Sequence, residues 1–233
     1  MAATTQRIRI RPRSTANTVT QLTLVVLIVL TAVSFATFDT RDTDLGAALR
    51  DMLSNFQTLL TEARLKNLSL TELGYQLAFT AALGLITTVF GAIIGFFLAL
   101  AAAQNLAPRR VTNVVKGITA FVRAVPTVMW VLFFAVSAGL GSIAAVLGMT
   151  FHSAGYLIKA YSESFEEIEP GVLEALRAGG ARWWQVIFQA VVPSSASALI
   201  SWTFVRFEIN FSTAIAMGAT AGAGGIGYDM FMA

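Results

Sequence analysis

Six residues near the end of the sequence, Gly222-Ala223-Gly224-Gly225-Ile226-Gly227, have the G-x-G-x-x-G spacing that cradles a pyrophosphate in dinucleotide-binding folds. That chemistry needs a strand before the glycines, a helix after them and an acidic residue about 20 positions on for a ribose. Here the preceding run is long and apolar, and six residues follow. The expected role of the segment, Gly224 and Gly225 included, is therefore tight backbone packing or a hinge near an outer mouth. Its exposed N–H groups could also meet a passing anion. Other polar residues interrupt apolar runs. Arg206, Glu208 and Asn210 fall within one of them. On a helix, Arg206 and Glu208 point about 200° apart and cannot neutralise each other. Arg206 and Asn210 share a face. Interhelical bonding and the lining of a transmembrane path are both open for this group. Arg123 stands three residues before Pro126, where a kink is expected; it either grips an oxyanion with its guanidinium fork or snorkels to a headgroup layer. His152 is either a packed, hydrogen-bonded histidine or a path contact.

Composition narrows the chemistry. The 233 residues include one histidine and no cysteine. Thiolate metal sites, disulfides and His-rich clusters are excluded, and hydrolytic or metal chemistry has little to work with. The chain is 56% hydrophobic and 12% charged, with a mean hydropathy of +0.70; soluble domains carry roughly 25% charged residues. Most of its surface must therefore face something other than water, and a bilayer fits. Arg7, Arg9, Arg11 and Arg13 precede the first apolar run. A nucleic-acid arm is one reading, but nothing aromatic or groove-reading follows; a flank that keeps the N-terminus cytoplasmic is the other. Residues 1–18 are thus expected to be a basic cytoplasmic tail and residues 19–233 a transmembrane domain.

Five spans are expected in an all-α, polytopic fold. The first is residues 21–38, with a cleavable signal peptide as its rival. Residues 39–72 follow, polar and slightly acidic. Within them Leu45, Leu49, Met52, Leu53, Phe56, Leu59 and Leu60 recur at helical spacing, which gives an amphipathic helix lying on the outer membrane face or packed on the other spans. Ser69-Leu70-Thr71-Glu72 has capping-box spacing and opens a second span through residues 75–103. In it, Gly91-x-x-x-Gly95 is a close-packing motif. Residues 104–116 read as a basic cytoplasmic loop. The third span starts near Gly117, with Arg123 at its inner end; Gly139-Leu140-Gly141-Ser142 makes an outer turn; the fourth span ends near Tyr161. Residues 162–195 form a long inner segment. The fifth span covers residues 196–217, and residues from Gly218 onward are external.

The inner segment carries the strongest local signal. Glu166, Glu167, Glu169 and Pro170 suit a helix start, and residues 172–178 form the helix. Gly179-Gly180 ends it. A second helix, residues 182–192, stops before Pro193, with Trp183 and Trp184 at headgroup level. Two readings of the first helix stand equally: a knob for a partner's socket, or a surface helix packed on its own chain.

Glu174-Ala175-Leu176-x-x-x-Gly180, with Ala190-Val191-Val192-Pro193 ten residues further on, resembles the EAA loop of ABC-importer permeases. Leu176, Ala190 and Val192 replace other apolar or small residues of that pattern. Arg123-Ala124-Val125-Pro126, His152-Ser153-Ala154-Gly155-Tyr156 and the glycine-rich segment are together similar to the phosphonate-type permeases, which import phosphonate, phosphate or phosphite. The resemblance implies an ABC type I importer transmembrane fold in a prokaryotic inner membrane. It implies that Leu173, Glu174, Ala175, Leu176, Arg177 and Gly180 couple to a cytoplasmic ATPase dimer, which would bind the ATP and Mg. A second copy of the chain and an external substrate-binding protein complete the expected assembly. Arg123, Pro126, His152, Tyr156, Arg206, Glu208, Asn210, Gly224 and Gly225 are expected along the path or its gate. Members of the family usually continue into a final span, whereas this sequence stops at Phe231-Met232-Ala233; a truncated chain and an absent span are the two readings. No G-x-x-x-x-G-K-[ST] occurs, so a nucleotide motor is expected on another polypeptide. A self-contained secondary transporter is the rival; it calls for inverted repeats, and no convincing repeat is visible.

Overall fold

A computed structural model of the chain describes residues 15–37, 44–61 and 69–232. The four N-terminal arginines lie outside the described residues. Two units form, Met1–Arg64 and Leu65–Ala233.

In the first unit, α1 is Thr15–Thr37 and α2 is Leu45–Thr61. At 1.5 Å per residue α1 is about 34 Å long, enough for a hydrocarbon core of about 30 Å. It begins six residues before the expected span. All its side chains are exposed within the unit, as a lipid-facing helix requires. Four of its threonines pair their hydroxyls within the helix: Thr20, Thr23, Thr31 and Thr37 donate to carbonyls four residues back. Asp44 caps α2, its carboxylate accepting from the N–H groups of Gly46 and Ala47. Leu49, Met52, Leu53, Phe56 and Leu60 line one face of α2, uncovered in this unit.

The second unit is built around α6, Ser142–Glu166, which packs against α3 (Leu70–Ala102), α4 (Arg109–Ala124), α5 (Thr127–Ala138) and α9 (Val192–Ala221). Ser69 caps α3 by accepting from the Glu72 N–H, as its spacing predicts. The partner of the Gly91/Gly95 motif is α6. A Cβ on Gly91 would stand 2.7 Å from the Ser153 Cβ, and one on Gly95 2.9 Å from the Leu157 Cβ. Gly84, about two turns earlier, abuts the backbone of Phe211 in α9. Small residues on α6 do the same for the neighbouring helices: Gly148 meets the Val131 backbone, and Gly155 meets Val122.

The third span differs from expectation. Instead of one kinked helix from Gly117, the chain forms α4 from Arg109, breaks at Val125-Pro126, and turns through 91° into α5. Most of the expected 104–116 loop is therefore helix. The cause is local: a residue before proline is pushed out of the helical region, and Val125 is extended at φ −88°, ψ 127°. The Trp130 Nε1–H donates to the Val122 carbonyl at 3.0 Å, bridging the break. The bent pair is one broken span, because its contacts climb along α6: Lys116 at Glu166, Val122 at Gly155, Val131 at Gly148. With four other helical runs long and apolar enough to cross, this gives five.

Two further boundaries move. Residues 182–192 do not form a separate helix stopped by Pro193. Helix α8 (Trp183–Val186) passes through a π-helical turn, Ile187–Val191, directly into α9. In that wider turn the Val192 N–H reaches the Ile187 carbonyl, and Pro193 follows as the second residue of α9. Residues from Gly218 do not simply leave the bundle. Helix α9 runs to Ala221, and α10 (Ile226–Met232) folds back along α9, with Gly227 against the Ile215 carbonyl and the Ile226 N–H donating to Thr80 Oγ1 at 3.0 Å.

Candidate functional site

The mid-helix polar residues form a seam across α3, α6 and α9. Arg206 donates from Nε to Ser153 Oγ at 3.0 Å, Ser153 donates to Asn210 Oδ1 at 3.0 Å, and Asn210 donates from Nδ2 to Thr88 Oγ1 at 2.9 Å. Thr88 ends the relay on the Gly84 carbonyl. Every hydroxyl in the seam both accepts and donates, so each bond polarises the next. Arg206 and Asn210 share a buried face, 3% and 0% exposed, as four-residue spacing predicts. The Arg206 guanidinium lies 5.2 Å from the centre of the Tyr156 ring, a distance at which a cation is attracted to the ring face. Among the described residues no carboxylate pairs with it, and its Nη2 has no hydrogen-bond partner.

Glu208, on the other side of α9, is exposed beside a shallow surface hollow that also includes Thr127, Val128 and Ser212. His152 is half-buried against the bend, near the backbone of Val122 and Val125, with Nδ1 unpartnered. Arg123 and Pro126 are exposed at the break. The structure thus joins Arg206, Asn210 and Tyr156, sets His152 one residue from Ser153, and leaves Glu208 apart. Gly224 and Gly225 lie elsewhere, at positive φ (83° and 76°) against Phe79 and Thr80. That is close backbone packing between two helices, with no strand among the described residues. Sequence reasoning missed Ser153 and Thr88. Their signal was placement: Ser153 adjoins His152, and Thr88 lies between Gly84 and Gly91 on one face of α3.

The loop helix α7 is Pro170–Ala178. Its end is a Schellman motif: the Ala181 N–H reaches the Leu176 carbonyl, the Gly180 N–H reaches the Arg177 carbonyl, and Gly180 takes φ +81°. Leu173, expected on a docking surface, is 2% exposed and turns into the chain's own core with Leu106, Phe165 and Ile187. Leu176 is half-buried beside it. Arg177 donates to the Asn105 carbonyl at 2.8 Å. Around this contact the α3–α4 turn is tied to the end of α6. Asn105 Nδ2 donates to the Phe165 carbonyl, and Glu166 accepts from the Gln104 N–H and from Lys116. Trp183 Nε1–H donates to the Leu106 carbonyl. What remains outward is Val172, Glu174, Ala175 and Ala178. One face of α7 thus packs on its own chain, and the other is uncovered.

A chain with five runs able to cross a bilayer, whose second unit is a helical bundle with a buried polar seam and a clamped helix at one end, is a polytopic membrane protein of the transporter type. The chain belongs to the family of binding-protein-dependent transport system inner membrane components, which matches residues 91–233. It is 35% identical over 153 residues to the phosphate-import permease protein PhnE of Mycolicibacterium smegmatis, covering 65% of this chain and 29% of that protein. It is 32% identical over 152 residues to the phosphite transport system permease protein PtxC of Stutzerimonas stutzeri, covering 65% and 55%. The chain therefore spans about half or less of the length of these relatives. Its fold is similar to that of a chain of the MetNI methionine ABC transporter in an inward-facing conformation, with a TM-score of 0.63 at 23% identity, over 69% of this chain and 79% of that one. At that identity the likeness is one of fold. The all-α permease fold expected from residues 174–193 is borne out.

Proposed function

We propose that the chain is the membrane-spanning subunit of an ATP-driven importer for a phosphorus oxyanion: phosphonate, phosphate or phosphite. The observation that carries the coupling role is α7. Its outward face presents Glu174 and Ala175, while Leu173 and Arg177 fix its inward face to the ends of α3 and α6. A push on such a helix is delivered to the span ends, not absorbed by a loose loop. Of the nine described lysines and arginines, Arg109, Arg110, Lys116, Arg123, Lys159, Arg177 and Arg182 lie toward the α7 end of the bundle. An excess of cations marks the cytoplasmic side; this supports α7 facing a cytoplasmic ATPase and, since four spans precede α7, an even number, an N-terminus on that same side. Phosphorus oxyanions are favoured because the relatives named for phosphate and phosphite import match this chain over 65% of its length. The ATPase dimer holds ATP and Mg. Its closure drives two copies of this chain between inward- and outward-open states, and an external binding protein delivers the anion.

Reconstitution with the ATPase and binding protein tests this. Uptake of one of the three anions, competed by the others and dependent on ATP, is the expected result. Equal uptake by the chain alone would assign a secondary transporter and overturn the proposal.

A further inference from the structure

We infer that a second phosphoryl-binding site lies between α4 and α6 at the α7 end of the bundle, apart from the Arg206 seam. A pocket of about 150 Å³ there is lined by Lys116, Thr119, Arg123, Lys159, Ser162 and Glu163. A single water needs about 10–15 Å³ on a comparable probe measure, so the pocket has room for a phosphoryl group. The lining carries three cations against one carboxylate. Glu163 is committed to Lys159 at 3.0 Å, and Glu166, just beyond the pocket, holds Lys116 at 2.8 Å. Arg123 has no carboxylate partner among the described residues. Its planar fork is the side chain best matched to phosphate oxygens. The position of Arg123 is set by its neighbour: a Cβ on Gly155 would stand 2.8 Å from Val122 Cγ1, so the glycine lets Val122 pack on α6, and the Arg123 stem lies alongside at ordinary contact distance, its Cγ 3.5 Å from the same point.

Depth favours the same ligand. Helix α6 has 25 residues and is about 37 Å long, several ångströms more than the hydrocarbon core. Lys159 stands seven residues, about 10 Å, from the Glu166 end. Even with all of that excess at the α7 end, Lys159 lies a few ångströms inside the hydrocarbon edge, within reach of the headgroups for a lysine that extends outward as snorkelling side chains do. The phosphoryl group can belong to an anionic phospholipid or to free phosphate on that side of the membrane. In the second case a product of import would bind its own importer. The sidedness, and phosphate as a product of import, rest on the proposed function; binding itself is measured without transport.

The test uses the purified full chain in nanodiscs. Phosphatidylglycerol retained in native mass spectrometry and lost from Arg123→Gln assigns a lipid headgroup. Saturable binding of inorganic phosphate in phosphatidylcholine nanodiscs, weakened by the same change, assigns free anion. In either case we expect about tenfold weakening in Arg123→Gln and in Lys159→Gln, as for loss of one charge-assisted contact. Arg110→Gln, an exposed cation of α4 outside the pocket, should change binding less than about twofold. Neither kind of binding by the folded wild type, or equal weakening in Arg110→Gln, overturns the site.

Discussion

Gly91 of α3 and Ser153 of α6 approach so closely that a Cβ on the glycine would stand 2.7 Å from the serine Cβ. This contact does two things. It brings the helices together without side-chain interdigitation, as small residues do in bilayers, and it sets the serine hydroxyl between Arg206 and Asn210. Gly91→Ala should therefore destabilise the folded chain by about 1–3 kcal/mol through overpacking. Gly74→Ala, on the same helix with nothing within 4 Å, should be neutral or gain up to about 1 kcal/mol from helix propensity. Thermal unfolding in detergent reads both. Equal shifts at the two sites would remove the special standing of the Gly91 contact.

Ser153→Ala should cost more than a typical interhelical hydrogen bond in a membrane protein, which averages about 0.6 kcal/mol. The loss strands two buried groups, Arg206 Nε and Asn210 Oδ1, so the expected cost is about 1–3 kcal/mol. Ser201→Ala is the control: Ser201 is exposed and donates to the Ser197 carbonyl of its own helix. A Ser153→Ala protein that melts with the Ser201→Ala protein would show that water or a local rearrangement replaces the relay.

Arg206 and Glu208 separate structure from transport. Replacing a buried ion by an apolar side chain of similar length is often neutral or stabilising. Arg206→Met should therefore insert and melt normally, while Ser153 keeps its bond to Asn210. ATP-driven uptake should fall by more than about tenfold, the loss of one charge-assisted contact to an oxyanion. Normal uptake by this variant would confine Arg206 to holding helices together. Glu208 faces away from the seam, and Glu208→Ala should impair assembly or uptake more than Ser201→Ala; parity between them would make Glu208 an ordinary surface residue.

How much of this was legible in the sequence follows from the range of each interaction. The Ser69 cap, the Gly179-Gly180 stop and the shared face of Arg206 and Asn210 are set within a few residues, and each is found where spacing puts it. Gly91 and Gly95 announce a close contact, but its partner, Ser153 and Leu157, lies some 62 positions away, and no local rule selects it. The prolines show the limit most clearly. Pro126 and Pro193 carry the same local warning, yet one ends a helix with a 91° turn and the other rides through a π turn. Packing decides between them. Ile187, Ala190 and Val191 are buried in the core around α7, which rewards a continuous helix there, whereas Pro126 is exposed and nothing holds α4 and α5 in line. Leu173 was legible as an apolar residue of α7 but not as an inward one, because Leu106 and Phe165, which cover it, come from other elements.

The last prediction concerns α7 and separates its shape from its outward chemistry. Gly180 sits at φ +81°, a conformation that costs an ordinary residue roughly 1–2 kcal/mol. Gly180→Ala should lower stability by about that amount, whereas Gly179→Ala, at φ −74°, should change it by less than about 0.5 kcal/mol. Gly180→Pro goes further, since it also removes the N–H that reaches the Arg177 carbonyl, and it should uncouple ATP hydrolysis from uptake. Ala175→Glu leaves every internal contact of α7 in place, because Ala175 is exposed. It should melt as the wild type does, yet weaken association with the ATPase and reduce ATP-driven uptake by about tenfold or more, the scale of a charge forced into a packed interface. Melting curves, co-purification of the ATPase and uptake are measured on the same preparations. Unchanged association and uptake in Ala175→Glu would leave α7 as a surface helix that serves its own chain alone, with Leu173 and Arg177 as its whole purpose.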